Sequence, residues 1–390
     1  MGPMETQTKT QGPLAGLRII EFAGKGPAPL CGMLLGDLGA DVVRIERPAQ
    51  ASEIADAERA FDILHRNRRS IAIDLRQPAG QALALTLAAG ADGLIEGFRP
   101  GVMERLGLGP EACLAAHPGL VYGRVTGWGQ DGPWAQRAGH DINYLAITGA
   151  LHAIGPRGGA PVPPLNLLAD YGAGAMFLAL GLVSAMLHAR QSGQGQVVDA
   201  AMIDAMAALM TPMQGLRQAG VWTESRGSNL LDGGAPFYGC YETADGRYLA
   251  VGPIEPPFFA QFIEGLGLAP ADFDGRMQPR NWQAQQALVA AVIRSQPSAY
   301  WEARFEGKDA CVTPVLTMAQ APAHPQHLAR HTYTEFAGRV QANPAPRFSR
   351  TPGSLRAAPP APGQHSREIL AEAGLGEAEI DRLIHAGTVR

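Results

Sequence analysis

GLRIIEFAGKGPAPLCGMLLGDLGADVVRIERP, residues 16–48, decides the fold. Leu17–Phe22 is an apolar run of strand length, Ala28–Leu38 has helical spacing, and Asp41–Ile45 is a second strand-like run. Strand, helix and strand in so few residues make a βαβ unit, which implies a parallel sheet covered by helices. The connecting loop, Gly24-Lys25-Gly26-Pro27-Ala28-Pro29, with Glu46 ending the second strand, imitates a dinucleotide fingerprint. Pro29 stands where a third glycine would let helix and strand approach, and Arg44 and Arg47 crowd the strand end. A tight turn into a helix is the plainer reading.

Outward from this unit the pattern repeats. Ser70–Leu75, Gly93–Glu96 and Leu120–Thr126 read as strands and Ala79–Ala89 as a helix, so the first half is an open α/β domain. Asp170–His188 and Ala200–Gln218 read as long helices leading away from it. Beyond Gly233-Gly234 the texture changes. Phe237–Thr243 and Arg247–Val251 flank Ala244-Asp245-Gly246, a hairpin signal, because Asp-Gly supplies the positive φ of such turns. Helical stretches Phe258–Leu266, Trp282–Ser295 and Ala299–Glu306 complete a smaller α+β domain, 230–325, after a helical linker, 196–229. The proline- and arginine-rich stretch 343–362 reads as an extended strap, and Ser366–Ala373 as a last helix.

A net charge of −4 provides no basic field for nucleic acid. The four cysteines are scattered, without a CxxC pair, which argues against zinc or a disulfide framework and for a reducing, cytoplasmic setting. The longest apolar stretch, Ala173–Leu187, falls short of the ~20 residues a membrane span needs. It reads as a buried helix. Residues 1–11 lack a signal-peptide core and are expected to form a disordered tail, ahead of a large domain whose first part runs over 12–195.

Four features carry candidate chemistry. Arg44, Arg47, Arg66, Arg68, Arg69, Arg76, Arg99 and Arg105 cluster near predicted strand ends, where open α/β sheets bind ligands; forked guanidinium groups suit phosphates. His140 follows Gly139 in a turn-rich loop, a suitable position for a proton acceptor facing a cleft. Asp170 stands where a helix N-cap belongs, so the neighbouring N–H groups are candidate donors to an oxyanion. Glu255 ends an apolar strand and is pinned by Pro256 and Pro257. Each has a plainer structural reading on its own.

The opening segment resembles the N-terminus of the family III CoA-transferases. IEGFRPGVMERLGLGPE (95–111), YGRVTGWGQDGPWAQRAGHDINY (122–144), GQGQVVDAAMIDA (193–205), NLLDGGAPFY (229–238), GPIEPPFF (252–259), DACVTPVL (309–316) and PAPRFSRTP (344–352) resemble its racemase branch. The resemblance runs from about Gly12 to the end of the chain. It implies a large Rossmann-like domain formed by both chain ends, with 326–390 returning to it, and an interlocked homodimer. His140 and Asp170 then match the opposed acid/base pair, Glu255 a carboxylate partner of the histidine, and Asn166 a polar supporter. Arg47, Ile73, Arg76, Arg99 and Arg105 match CoA-binding positions, Ile73 beside the adenine and Arg76 where the family pattern has lysine. The implied reaction interconverts (2R)- and (2S)-2-methylacyl-CoA thioesters through an enolate, with no metal and no cofactor apart from the CoA of the substrate. The alternative within the family is CoA transfer between carboxylic acids through an anhydride at Asp170.

Overall fold

The computed structural model describes residues 11–48 and 62–390. All of the expected tail, 1–11, except Gln11, and the loop at 49–61 lie outside the described residues. The chain divides into two compact units: a larger one of residues up to Tyr144, 166–209 and 330–390, and a smaller one of residues 145–165 and 210–329.

In the larger unit, β1 (Arg18–Phe22), α1 (Pro27–Asp37) and β2 (Asp41–Glu46) form the expected βαβ unit, with Arg18↔Asp41 to Phe22↔Ile45 paired in parallel. β3 (Arg68–Ala72), α2 (Pro78–Ala89), β4 (Gly93–Glu96), α3 (Val102–Arg105), α4 (Pro110–Ala116) and β5 (Val121–Thr126) follow. α1, α2 and α4 all begin with proline, whose fixed φ suits the first helical position. After β5 come α5 (Asp141–Ile147), a π-helical stretch (Leu167–Ala175) running directly into α6 (Met176–Ser192), and β6 (Val197–Ala201). The six strands form one parallel sheet ordered β3-β2-β1-β4-β5-β6. Winding reverses between β1 and β4, so the loops leaving these strands diverge and open a crevice at the carboxyl edge.

Both faces of the sheet are covered, which explains the continuous apolar runs of its strands. Ile20, Phe22, Val43, Ile45, Ile71 and Leu94 pack on one side, and Ile19, Val42, Ile95 and Val121 pack on the other with Leu178, Leu182 and Met186 of α6. The helix through Leu167–Ser192 spans 26 residues and is long and apolar enough to cross a membrane, against the shorter, buried helix expected. Leu178 and Leu182 are buried, but Leu180, Val183 and Leu187 on its other side are exposed.

The expected linker, 196–229, is corrected at its start. Val197–Ala201 is an edge strand, and α7 (Met202–Leu209) stays with the larger unit; the chain passes to the smaller unit from Met210, with α8 (Thr211–Gln218). Residues 145–165, expected within the larger domain, belong to the smaller unit. There β7 (Gly239–Glu242) and β8 (Tyr248–Val251) form the expected hairpin, with Gly246 at φ 71°, as its turn requires. α9 (Pro256–Leu266), α10 (Pro279–Ile293) and α11 (Ser298–Phe305) pack on them through Phe237, Phe262, Trp282 and Trp301, and β9 (Val312–Pro314) adds an unforeseen third strand.

After α12 (Pro325–Ala329) the chain returns to the larger unit with a hairpin, β10 (Tyr333–Phe336) and β11 (Arg339–Ala342). The strap follows in extended form; Arg356 donates to the Gly36 carbonyl at 2.7 Å, capping the end of α1. α13 (Ser366–Glu372) is followed by a further helix, α14 (Glu377–His385), and Val389 bridges to Ile73.

Candidate active site

A cleft of about 480 Å³ lies at the carboxyl edge of the sheet. Its walls come from the loops after β1 (Lys25, Gly26) and β4 (Phe98, Arg99), from the end of β5 and the loop after it (Thr126, Trp128), from Ala135 and residues 137–140, and from Tyr144 and Asp170. This is the switch point where open α/β sheets bind ligands. His140, Asp170 and Arg99, all predicted from the sequence, are together on it.

His140 is held by the start of α5. Its carbonyl accepts the N–H groups of Asn143 (2.8 Å) and Tyr144 (3.3 Å), and its own N–H donates to Asn143 Oδ1 at 3.0 Å. The N3 side chain thus reaches back to the N-cap, as in half of a capping box. Gly139 has to be glycine, because a Cβ there would sit 2.7 Å from Trp128 Cζ2 and 2.8 Å from Tyr144 Cε1. Trp128 stands edge-on to Tyr144 at 4.7 Å, and its indole N–H donates to the Arg137 carbonyl at 3.1 Å, tying down the loop that leads to His140.

Asp170 lies inside the π-helical stretch and is not an N-cap. Asp141 does the capping from a distance: its Oδ2 accepts the N–H groups of Ala169 (2.8 Å) and Asp170 (2.9 Å). The N–H donors expected at Asp170 are therefore already used, which removes them as an oxyanion site. A π-helical turn inside a longer helix is frequently functional. Gly174 lets the start of α1 close on this turn, since a Cβ there would meet Pro27 Cβ at 2.8 Å. Gly26, at φ 72°, then comes within about 3.9 Å of the Asp170 carboxylate, measured from the Cβ it lacks. Burial raises the Asp170 carboxyl above the ordinary carboxylate range and the Asp141 charge adds to this; the Asn166 hydrogen bond and His140 act in the opposite direction. Asn166 Nδ2 donates to Asp170 Oδ2 at 3.2 Å. Tyr144 is pushed up to about 12, by burial first and then by the Asp170 charge.

The predicted arginines separate into two groups. Arg47, Arg76, Arg99 and Arg105 are exposed, the first three just beyond β2, β3 and β4, and Arg76 pairs with Asp74 at 2.9 Å. Arg44, Arg66 and Arg68 are buried and structural: Arg68 pairs with Glu21 at 2.6 Å, Arg66 with Asp37 at 2.6 Å, and Arg44 lies 3.5 Å from Glu46. Arg69 is held by Asp41, Glu368 and Glu372. Those four are thus withdrawn from phosphate binding. Ile73 is buried in the core, main chain and side chain alike, and its N–H donates to the Glu46 carbonyl at 2.8 Å, so the structure does not present it to an adenine. Glu255 is exposed at the N-cap of α9, in the smaller unit. Lys25, Arg137 and Tyr144 line the cleft without having been singled out from the sequence; Arg137 and Tyr144 flank the histidine motif, the only local signal for them.

The strand order is that of dinucleotide-binding sheets, but the anion site is not. Pro27 and Pro29 remove two N–H groups from the first turn of α1, and Asp170 brings a carboxylate to its start. Glu46, which stands where a ribose carboxylate would, bonds to Ser70 instead. Among the described residues no cluster of three or more His, Cys, Asp or Glu is arranged to hold a metal ion.

Sheet, cleft and side chains define an α/β protein built for acid/base or nucleophilic chemistry on an anionic ligand. The chain belongs to CoA-transferase family III, whose family model matches residues 14–366. It is 42% identical to the α-methylacyl-CoA racemase of Mus musculus over 384 residues, 97% of this chain and 99% of that protein. To the Homo sapiens α-methylacyl-CoA racemase it is 40% identical over 385 residues, again 97% of this chain and 99% of that protein. Among solved structures, a CAIB/BAIF family protein from Brucella suis superposes with TM-score 0.79 at 26% identity, covering 93% of this chain and all of that one.

Proposed function

We propose that the protein is a racemase interconverting (2R)- and (2S)-2-methylacyl-CoA thioesters, with His140 and Asp170 exchanging the α-proton. The cleft that both side chains line, with Arg99 on its wall, is the observation that carries this reading. One base takes the α-proton and the C–H electron pair moves to the thioester carbonyl as an enolate. The other group, already protonated, then delivers its proton to the opposite face. The raised Asp170 carboxyl is a stronger base than an ordinary aspartate.

The enolate oxygen needs donors. Helix geometry leaves the Asp141 and Ile142 N–H groups at the start of α5 without an intrahelical acceptor, next to His140. These replace the donors expected at Asp170. Arg47, Arg76, Arg99 and Arg105 hold the CoA phosphates, and the reaction as proposed uses no metal, flavin or nicotinamide.

The working form we propose is an interlocked homodimer in which Glu255 of the partner subunit orients His140. Leu167, Met176, Leu180, Val183 and Leu187 are exposed along one helix, an apolar surface that a second copy would cover. The four cysteines are free, two of them exposed, which supports a cytoplasmic location. The second reading, attack by Asp170 on the thioester to expel CoA and form an anhydride, is favoured by the same carboxylate's position in the cleft.

One experiment separates the two. A single 2-methylacyl-CoA epimer is incubated in heavy water and followed by NMR. Deuterium should enter the α-position and optical purity should decay for either epimer, without added acid. Turnover that requires a free carboxylic acid and proceeds without α-exchange would establish the transferase instead.

A further inference from the structure

We propose that Arg124 is a positioning residue for CoA binding, fixing the segment that presents Arg99 and Arg105; this rests on the CoA reading above. Arg124 lies on β5 directly opposite Glu96 of β4 in the sheet register. Its Nε donates to Glu96 Oε1 at 2.7 Å, and its two terminal nitrogens donate to Glu104 Oε1 at 2.8 Å and Oε2 at 3.3 Å. The other oxygen of Glu96 accepts the Phe98 N–H at 2.7 Å. A single buried guanidinium thus grips both ends of residues 96–105, one grip beside Arg99 and the other beside Arg105.

Between the grips the chain turns at Gly101, φ 83°, where an Arg105 terminal nitrogen lies 3.2 Å from the position of the missing Cβ. Arg124 does not serve the phosphates itself. Its side chain is 8% exposed, and each of its three nitrogens donates to a carboxylate within the segment. An apolar pair would hold the strand end about as well as the buried Arg124–Glu96 ion pair. The guanidinium instead fixes direction, because its fork is planar and bidentate. Fixed direction is what two exposed arginines need if they are to converge on one phosphate-bearing ligand.

The test compares Arg99→Ala, Arg124→Lys, Glu104→Gln and the Arg99→Ala/Arg124→Lys double variant, by calorimetric titration with free coenzyme A and by steady-state racemisation. Lysine keeps the charge and cannot bridge both carboxylates. Arg124→Lys should raise the Kd for CoA and the KM about tenfold and leave kcat within about twofold. Glu104→Gln, at a partly exposed carboxylate, should raise the Kd about threefold and carries the test if Arg124→Lys fails to fold. The double variant should bind CoA more weakly than Arg99→Ala alone but by clearly less than the Arg124→Lys factor, because the part of the lesion that acts through Arg99 cannot add to its loss and only the part that acts through Arg105 can. Wild-type CoA affinity in Arg124→Lys and Glu104→Gln, or fully additive losses in the double variant, overturns the inference. CoA affinity unchanged by Arg99→Ala would instead refute the CoA reading on which it stands.

Discussion

Asp141 makes a long-range cap, and its removal has a cost that follows from the structure. In Asp141→Ala the N–H groups of Ala169 and Asp170 lose an ionised acceptor at 2.8 and 2.9 Å, and Ala169 is fully buried. Hydrogen bonds to a charged group contribute about 1.5–3 kcal/mol each, so the loss of two is on the order of 3–6 kcal/mol. At about 2–4 °C per kcal/mol for a unit of this size, the melting midpoint should fall by roughly 6–24 °C. The π-helical turn carries Asp170, and a displacement of ~1 Å at a reacting group lowers the rate by about 10²-fold. Asp141→Asn keeps an oxygen for the same two donors, as a neutral acceptor of roughly half the strength, and should recover about half of the lost stability together with part of the lost rate. Calorimetry and α-deuteration of one epimer read the two effects on the same samples. If Asp141→Ala melts within ~1 kcal/mol of wild type and exchanges at the wild-type rate, Asp141 does not hold the turn.

A kcat–pH profile should show activity falling as pH drops through a value above the ordinary carboxylate range, because Asp170 must be ionised to act as base and its folded carboxyl is raised. Asn166→Ala removes a hydrogen bond to the ionised form and should move that limb to higher pH; an unmoved limb would dissociate it from Asp170. The same shift costs stability once pH passes the unfolded carboxyl's value, and the penalty is complete above the folded one. Arg47→Ala and Arg99→Ala should weaken CoA binding more at low than at high salt, and a salt-independent effect would argue against a phosphate contact. Co-expressed His140→Ala and Glu255→Ala chains should give mixed dimers with about half the wild-type activity, since both lesions fall in one shared site and the other is intact. Mixed dimers no more active than either parent would eliminate the shared site.

The sheet was legible because its strands are buried on both faces, and Gly93–Glu96 matches to the residue. The edge strand Val197–Ala201 was missed for the opposite reason: two of its first three residues are exposed, so it has no apolar run. Arg66 and Arg68 looked like ligand groups because their partners Asp37 and Glu21 come from α1 and β1, whereas Arg44 lies beside Glu46 of its own strand and its burial was what the sequence did not show. His140 and Asp170 were candidates from their local settings, the resemblance paired them as acid and base, and their meeting on one cleft needed the fold. Asp170 mimicked an N-cap because a carboxylate before an apolar helix is the usual local signal. The true cap is 28–29 residues away, beyond the reach of any local pattern.

The π-helical stretch makes Asp170 a matter of counting as well as chemistry. Each of its bonds encloses one residue more than an α-helical bond, so the stretch stores surplus chain between Asn166 and α6. Loss of any one residue there would let the helix relax to its ordinary winding. One residue corresponds to about 100° of rotation, enough to carry the carboxylate off the cleft and the two N–H groups off Asp141. Side-chain identity in Leu167–Ala175 is thus open to drift wherever packing allows, but length is not: a one-residue deletion would spare the sheet and abolish the site.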